Sequence, residues 1–432
     1  MSYAGYLAMA YVVPRDHFWM LICVVALLFL GYVPLVQAAK GFNLKQLLVV
    51  AALFRVAFIV STPALSDDFY RFFWDGRMWW HGAHPLSATP DDLHTIKASE
   101  AWDPHQDLWN GLNSREYSTV YPPASQFLFA LAAGGGMRSV ATELMLLRLL
   151  LVALELLAVY LLYLILPLLG RPPTASAWYA FNPLVIIEVA GNLHFEGAMT
   201  TCVLWAIWGW LASQPGRKAI TWVSAMVLGV ATKLLPLLLL PLLPRTVGWG
   251  KAIVLGLAVL VGCAAVFVPF LYTGGSGFGT SVELFVSQFE FNASIYYLAR
   301  ELGTWVQGYN PIGTLGPTLK VATAVVIVFL ALRRKHTPAS AVETALWMWA
   351  VYLFLATTVH PWYVVPLVAL GTLSGRVWPW VWSGLLFFSY SHYHGGGFQE
   401  AYGWIAAEYV LLAMIIALEY RGTLRKWGAV TG

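Results

Sequence analysis

The sequence predicts an all-α polytopic membrane protein: a bundle of about 13 transmembrane helices whose outer loops carry short amphipathic helices. Three observations predict it. Of 432 residues, 59% are hydrophobic and 11% charged, whereas soluble domains run at roughly 45–50% and about 25%. Apolar runs fit to cross a bilayer recur along the whole chain, separated by polar turns. Lys and Arg clusters fall on alternate turns, as the positive-inside rule requires. Residues 1–432 therefore read as a single integral membrane domain, with outer loops at 62–120 and 272–317.

The elements follow in order. Ser2 to Val13 is apolar but short, and fits either a crossing or an interfacial segment. Arg15 and Asp16 follow without a small-residue cleavage site, so no cleavable signal is expected. Phe18 to Gln37 is the first full crossing. Lys40 and Lys45 place the next turn inside, and Leu47 to Val60 returns outward. Asp67 and Asp68 thus land on the extracytoplasmic side.

The stretch from Ser66 to Val120 is polar and aromatic, and too long for a simple turn. Ser66 is positioned to cap a helix toward Trp80, ended by Gly82 and Pro85. Asp67, Tyr70, Arg71, Trp74 and Met78 share one face of it, and Asp68, Phe72, Asp75 and Trp79 the next. This pattern predicts an amphipathic helix on the outer membrane surface.

Tyr121-Pro122-Pro123 opens an apolar segment broken by Gly134-Gly135-Gly136, which either crosses or dips and returns. Leu144 to Leu169 crosses to Arg171. Ala175 to Ala190 leads out to His194 and Glu196, and Met199 to Ala212 returns to Arg217 and Lys218. Ile220 to Lys233 goes out, and Leu234 to Leu243 returns to Arg245 and Lys251. Ile253 to Leu271 reaches the second outer loop. Leu319 to Leu332 ends at Arg333-Arg334-Lys335. Ala345 to Val359 leads to His360-Pro361-Trp362-Tyr363, and Val364 to Leu373 to Arg376. Trp380 to Ser391 reaches His392-Tyr393-His394. Ile405 to Leu418 ends at Arg421, Arg425 and Lys426.

The net charge of +4 is spread over many short loops and implies no nucleic-acid partner. Cys23, Cys202 and Cys263 lie in apolar runs without metal spacing, and read as small core residues.

The chemistry gathers on the outer turns. Asp67 and Asp68 fit a general base, a metal site or a solvated helix start. His194 and Glu196 face the same compartment, although a polar turn also needs such residues. Lys233 is a cation on the outer side, against the prevailing charge trend. It either snorkels or meets a phosphate at the membrane surface. Arg148 and Glu155, two turns apart on one helix face, read as a structural ion pair, and Arg55 and Glu188 as another. His360, Tyr363, His392 and His394 sit in aromatic interfacial turns. No His-Glu-x-x-His metal spacing occurs.

Asp67-Asp68-Phe69-Tyr70-Arg71-Phe72-Phe73-Trp74-Asp75-Gly76-Arg77 resembles the signature loop of the membrane-embedded C-type (GT-C) glycosyltransferases. With Tyr121-Pro122-Pro123, Asn182-Pro183, Asn192 to Glu196 and His360 to Tyr363, it is similar to the bacterial polyprenol-phosphate-mannose-dependent mannosyltransferase branch. Where that branch commonly carries Asn-x-His-Asn-Asp, this chain has Phe195-Glu196 after His194.

The resemblance implies a polyprenyl-phosphate sugar donor in the lipid bilayer of a bacterial inner (plasma) membrane, with the active site on the extracytoplasmic side. It implies Asp67 as the base, Asp68 as its orienting partner, and Lys233 and Arg71 on the donor phosphate. Tyr70, Trp74, Asp75, Arg77, Tyr121, His194, Glu196, His360 and Tyr363 are the expected substrate-binding positions. Single displacement implies inversion at the sugar, with a glycan or glycolipid hydroxyl as acceptor. No cofactor is required, though Asp67, Asp68, His194 and Glu196 could hold a divalent cation. Two other readings compete. A lipid or polysaccharide transporter would place its polar groups near the midplane, often in repeats. A surface-polysaccharide ligase or polymerase would lean on arginines and a histidine.

Overall fold

Lipid offers no hydrogen-bond partner to a backbone, so long apolar runs must satisfy their own N–H and C=O groups as helices. The computed structural model describes residues 2–92, 106–134, 138–274, 279 and 289–423. Among these the regular structure is helical, with one isolated β-bridge between Phe291 and Thr358. The main helices are α1 (Ser2–Tyr11), α2 (Phe18–Ala38), α3 (Leu44–Val56), α4 (Asp68–Trp80) and α5 (Pro123–Ala133). Next come α6 (Val140–Leu168), α7 (Glu196–Ala212), α8 (Pro215–Thr232), α9 (Trp249–Gly274) and α10 (Ile295–Gln307). The chain ends with α11 (Ile312–Leu332), α12 (Pro338–Leu355), α13 (Val365–Ser374), α14 (Trp378–Leu385) and α15 (Tyr402–Tyr420). Parts of both outer loops, Gly135 and Gly136, and the terminal Arg425 and Lys426 lie outside the described residues.

The all-α polytopic fold is as expected, but the crossings are less regular than the apolar runs suggest. Among the described residues, six helices are long and apolar enough to cross alone: α2, α6, α9, α11, α12 and α15. Pro123–Ala133, Leu235–Val247 and Pro361–Ser374 are shorter apolar helices. Two other apolar runs are interrupted where they contain proline. The stretch 175–190 becomes the short pieces Ala177–Ala180 and Pro183–Val185, then a π turn at Ile186–Gly191. Leu235–Leu242 is a 3-10 run with Pro236 near its start and Pro241 inside it. Proline removes a ladder donor and restricts the preceding residue, which disfavours a continuous α-helix at these points. The open question at Ser2 resolves as a ten-residue helix packed on α2, too short to cross by itself.

Helix α4 departs from expectation. It starts at Asp68, flanked by Asp67, and the Ser66 hydroxyl accepts from the Asp68 N–H at 3.3 Å. Rather than lying on the membrane surface, it is sunk in the protein, with every residue from Arg71 to Met78 buried. Its polar residues find protein partners. Arg77 makes a bidentate pair with Glu143, at 2.9 and 2.7 Å. Asp75 accepts from Arg71 Nε at 2.7 Å and from Gln126 Nε2 at 2.7 Å. Gly76 lets α4 lie directly on α5, where a Cβ would stand 2.4 Å from the Phe129 carbonyl oxygen.

The intramembrane charges also pair differently from the sequence reading. Glu155 takes Arg55, not Arg148, and both members are fully buried. Arg148 donates instead to the carbonyls of Ala190 at 2.6 Å, Ile59 at 3.0 Å and Gly191 at 3.3 Å. Glu188 accepts from Asn192 and Tyr390, each at 3.0 Å. The π turn explains the exchange. It leaves carbonyls without helical partners, and a guanidinium has five donors to give them.

Polar contacts gather at the two ends of α2. At one end Arg15 meets Asp67, Tyr121 meets Asp68, and His194 stacks on Trp362. At the other, Arg171 donates to the Ser374 carbonyl, and Arg376 pairs with Glu343 and Glu419.

Candidate active site

Asp67 and Asp68 stand at the N-terminal end of α4, where the helix dipole favours negative charge. Both line a cavity of about 580 Å³, together with Tyr121, Glu196, Lys233 and Tyr363. Such a volume suits a small-molecule site. Stretches far apart in the chain therefore converge here, among them the start of α4, the Tyr-Pro-Pro turn, the α7–α8 pair and the turn before α13. A larger cavity, about 850 Å³, lies between α2 and α14 at the opposite end, beside Lys40. Its walls are mainly apolar, such as Phe29, Trp178 and Trp380, and it contains none of the candidate residues.

The acid pair divides into two environments. Asp67 is partly exposed and pairs with Arg15 at 3.0 Å. Asp68 Oδ2 accepts from the Tyr121 hydroxyl at 3.2 Å. Enclosure by protein pushes the Asp68 carboxyl up to about 6, against the opposing pull of Lys233 and the Tyr121 hydrogen bond. The Tyr121 hydroxyl is held well above its usual range by burial and by Asp68.

Lys233 follows the last turn of α8 in extended backbone, which turns its side chain into the cavity. There it pairs with Glu196 Oε1, while Glu196 Oε2 is buried with no hydrogen-bond partner. Its ammonium also lies 5.7 Å from the centre of the Tyr363 ring. Arg71 reaches the cavity wall too. Its Nε holds Asp75 and one terminal nitrogen donates to the Tyr117 carbonyl at 2.9 Å, while the other is buried with no hydrogen-bond partner.

The side wall is a column of aromatic rings. His194 stacks on Trp362 at 3.6 Å, Trp362 on His360 at 4.4 Å, and His360 on Phe291 at 4.5 Å. His194 follows Leu193, whose φ of 65° is rare for a branched side chain. That left-handed residue turns the chain from the π turn into α7. Burial, with Lys233 nearby, pushes His194 well below its ordinary value and His360 down to about 3. Both rings are thus neutral at physiological pH.

Not every candidate reaches the cavity. Tyr70 packs its ring on Gly111, and Trp74 lies against Trp109 in a separate small cluster. Asp75 and Arg77 are buried in the helix-packing contacts described above. His194 borders the cavity only through Trp362. Asp67, Asp68, His194 and Glu196 do not form a metal-binding set, and no group of three such side chains does among the described residues. Sequence reasoning missed Arg15, Glu290, Phe291, Tyr352 and Tyr393, which also line the cavity. Arg15 left a sequence signal as a cation on a turn that the charge alternation places outside, and Tyr393 lies in the His392-Tyr393-His394 turn already assigned to that side.

A cavity with carboxylates on one wall, a lysine beside it and aromatic rings around it is suited to transfer of a sugar. Residues 7–272 match the N-terminal domain of the alpha-(1->6)-mannopyranosyltransferases. No curated protein matches the chain. With well over half its length matched, the chain belongs to this family of GT-C mannosyltransferases.

Proposed function

We propose that the protein transfers mannose from a polyprenyl-phosphate donor to a hydroxyl of a glycan or glycolipid, in an α-(1→6) linkage, at the extracytoplasmic face of a bacterial inner membrane. The observation that carries this reading is the meeting of the Asp67–Asp68 pair with the Lys233–Glu196 pair on one cavity.

The chemistry needs both pairs. Asp67 accepts the proton of the acceptor hydroxyl as its oxygen attacks the anomeric carbon. The bond from that carbon to the phosphate oxygen breaks, and the polyprenyl phosphate leaves with the electron pair. Lys233 and Arg71 face the negative charge that develops there. The single displacement inverts the sugar. Asp68, tied to Tyr121, orients the acceptor or the base. The aromatic wall supplies flat apolar surface for sugar rings. No step is routed through a metal.

The test is transfer by purified protein in lipid, from labelled polyprenyl-phosphate mannose to a membrane glycolipid extract. Wild-type activity lost in Asp67→Asn supports the reading. Activity with a nucleotide sugar but not with the lipid-linked one overturns the donor, and full activity in Asp67→Asn overturns the base. Lipid movement across the bilayer without sugar transfer replaces the enzyme with a transporter.

A further inference from the structure

Asp67 stands at the start of α4, where an aspartate ordinarily accepts from the first free N–H groups of the helix. It makes no such bond. The Ser66 hydroxyl accepts from the Asp68 N–H instead, which leaves the Asp67 carboxylate to the cavity and to Arg15. Arg15 reaches Asp67 Oδ2 at 3.0 Å. No hydrogen bond or ion pair engages Asp67 Oδ1 among the described residues.

Arg15 is itself held from two sides. It follows Pro14 in a turn closed by the His17 N–H on the Pro14 carbonyl at 3.2 Å, and the neighbouring Val13 is buried. Its guanidinium lies 4.6 Å from the centre of the Tyr393 ring. That ring packs in turn against Tyr390 and Phe398. One side chain therefore joins three parts of the chain: the turn between α1 and α2, the acid at the start of α4, and the stretch between α14 and α15. The last of these lies beyond the residues matched to the family.

Stability does not account for the arrangement. The Arg15 and Asp67 side chains are 32% and 44% exposed, and an ion pair so open to water contributes little. Placement of a base matters far more. It must meet the acceptor hydroxyl within hydrogen-bond reach, and a small misplacement is costly in rate. A guanidinium is a planar donor, so it fixes the orientation of a carboxylate as well as its distance.

We propose that Arg15 is a positioning residue for Asp67. It holds Oδ2 so that Oδ1 is turned to the entering acceptor, and the Tyr393 ring keeps the guanidinium in place. As the acceptor oxygen attacks the anomeric carbon, its proton passes to Oδ1, while Arg15 stays on Oδ2 and gives up no proton. Arg15 acts through Asp67 and touches neither donor nor acceptor. The proposal deepens the reading of Asp67 as the base and rests on it.

The experiment measures kcat and acceptor KM for purified variants in lipid, with polyprenyl-phosphate mannose and the glycolipid extract, beside thermal unfolding. Arg15→Gln lowers kcat by about 10²-fold, the scale of a misplaced catalytic group, with acceptor KM and thermal stability little changed. Arg15→Lys recovers part of the loss, and remains the test should Arg15→Gln fail to fold. Tyr393→Phe, which keeps the ring, retains more of the rate than Tyr393→Leu. Added to Asp67→Asn, Arg15→Gln has little further effect, because one residue works through the other. A raised KM at unchanged kcat in Arg15→Gln makes Arg15 an acceptor contact and overturns the proposal. Losses that add in the double variant overturn it as well. An inactive Asp67→Asn beside a wild-type kcat in Arg15→Gln overturns the positioning role and leaves the base standing. A wild-type rate in Asp67→Asn fails the base reading itself, and the proposal with it.

Discussion

The hydroxyl of Tyr121 donates to Asp68 Oδ2 across 3.2 Å and joins the acid pair to the Tyr-Pro-Pro turn 53 residues further on. The contact separates two adjacent carboxylates. Asp67 faces Arg15 and the cavity mouth, whereas Asp68 faces inward toward Lys233 and Glu196. The two adjacent carboxylates thus line one cavity with different partners.

The tether predicts a pH profile. Burial raises Asp68 to about 6, so the carboxylate predominates above that pH and the neutral acid below it. If the ionised form orients the reactants, kcat/KM falls as pH drops through about 6. Tyr121→Phe removes a donor that favours the charged form, so the limb should move to higher pH. Asp68→Asn should flatten it and leave a low, pH-independent rate. Asp67→Asn should lower kcat by about 10²–10⁴-fold, the scale of general-base catalysis, with folding retained. The check is a set of transfer rates against pH for the three variants. An acid limb unmoved in Tyr121→Phe removes Asp68 from the titration.

The pairing of Lys233 with Glu196 predicts non-additivity. Lys233→Gln removes charge from the departing phosphate and should lower kcat by about 10²-fold. Glu196→Gln frees the ammonium but removes the group that positions it. In the double variant the loss should be close to that of Lys233→Gln alone, because Glu196 acts through the lysine. A double-mutant cycle on kcat/KM reads this directly. Losses that simply add would place Glu196 in contact with substrate on its own account.

Gly76 sits in the signature loop for a packing reason. Alanine there drives a methyl to 2.4 Å from the Phe129 carbonyl oxygen and 2.9 Å from the Ala133 Cβ. Backbone cannot yield as a flexible side chain can, so α4 must tilt off α5. Gly76→Ala should destabilise by roughly 1–3 kcal/mol, the usual cost of overpacking, and displace Asp67 and Asp68 from the cavity. Thermal unfolding in detergent and residual transferase rate check it. A stable protein with a large rate loss would still support the tilt, whereas unchanged stability and rate would refute it.

Much of this was legible in the sequence, and the failures have physical causes. The acid pair, Tyr121, Glu196, Lys233, His360 and Tyr363 were recognisable because each is a polar residue beside an apolar run, and charge alternation puts them at one end. Trp74, Asp75 and Arg77 share the motif, and the resemblance alone implies substrate contact for them. Yet their partners, Gln126 and Glu143 among them, lie on helices far along the chain and are invisible to spacing. The irregularity of several crossings was not legible, because hydropathy registers composition and not backbone continuity. Arg15 was missed because its partner Asp67 is brought to it only when α2 and α3 have folded back.

The exchange of partners among the membrane charges yields a last prediction. Arg55 and Glu155 are both fully buried and form a pair, with Arg55 also donating to the carbonyls of Ala51 at 2.8 Å and Ala180 at 3.0 Å. The pair joins α3 to α6 and to the broken segment after Arg171, away from the cavity. Removing one member strands the other charge in an apolar interior, which costs about 3–5 kcal/mol. Arg55→Met and Glu155→Leu should each lower stability by that order, while the double variant recovers much of the loss because no charge is left unpaired. Arg148 does not take over, since its donors are committed to the carbonyls of Ile59, Ala190 and Gly191. Thermal stability of the three proteins in the same lipid decides it. A double variant no better than the worse single one would show that Arg55 acts mainly through the two carbonyls and not through Glu155.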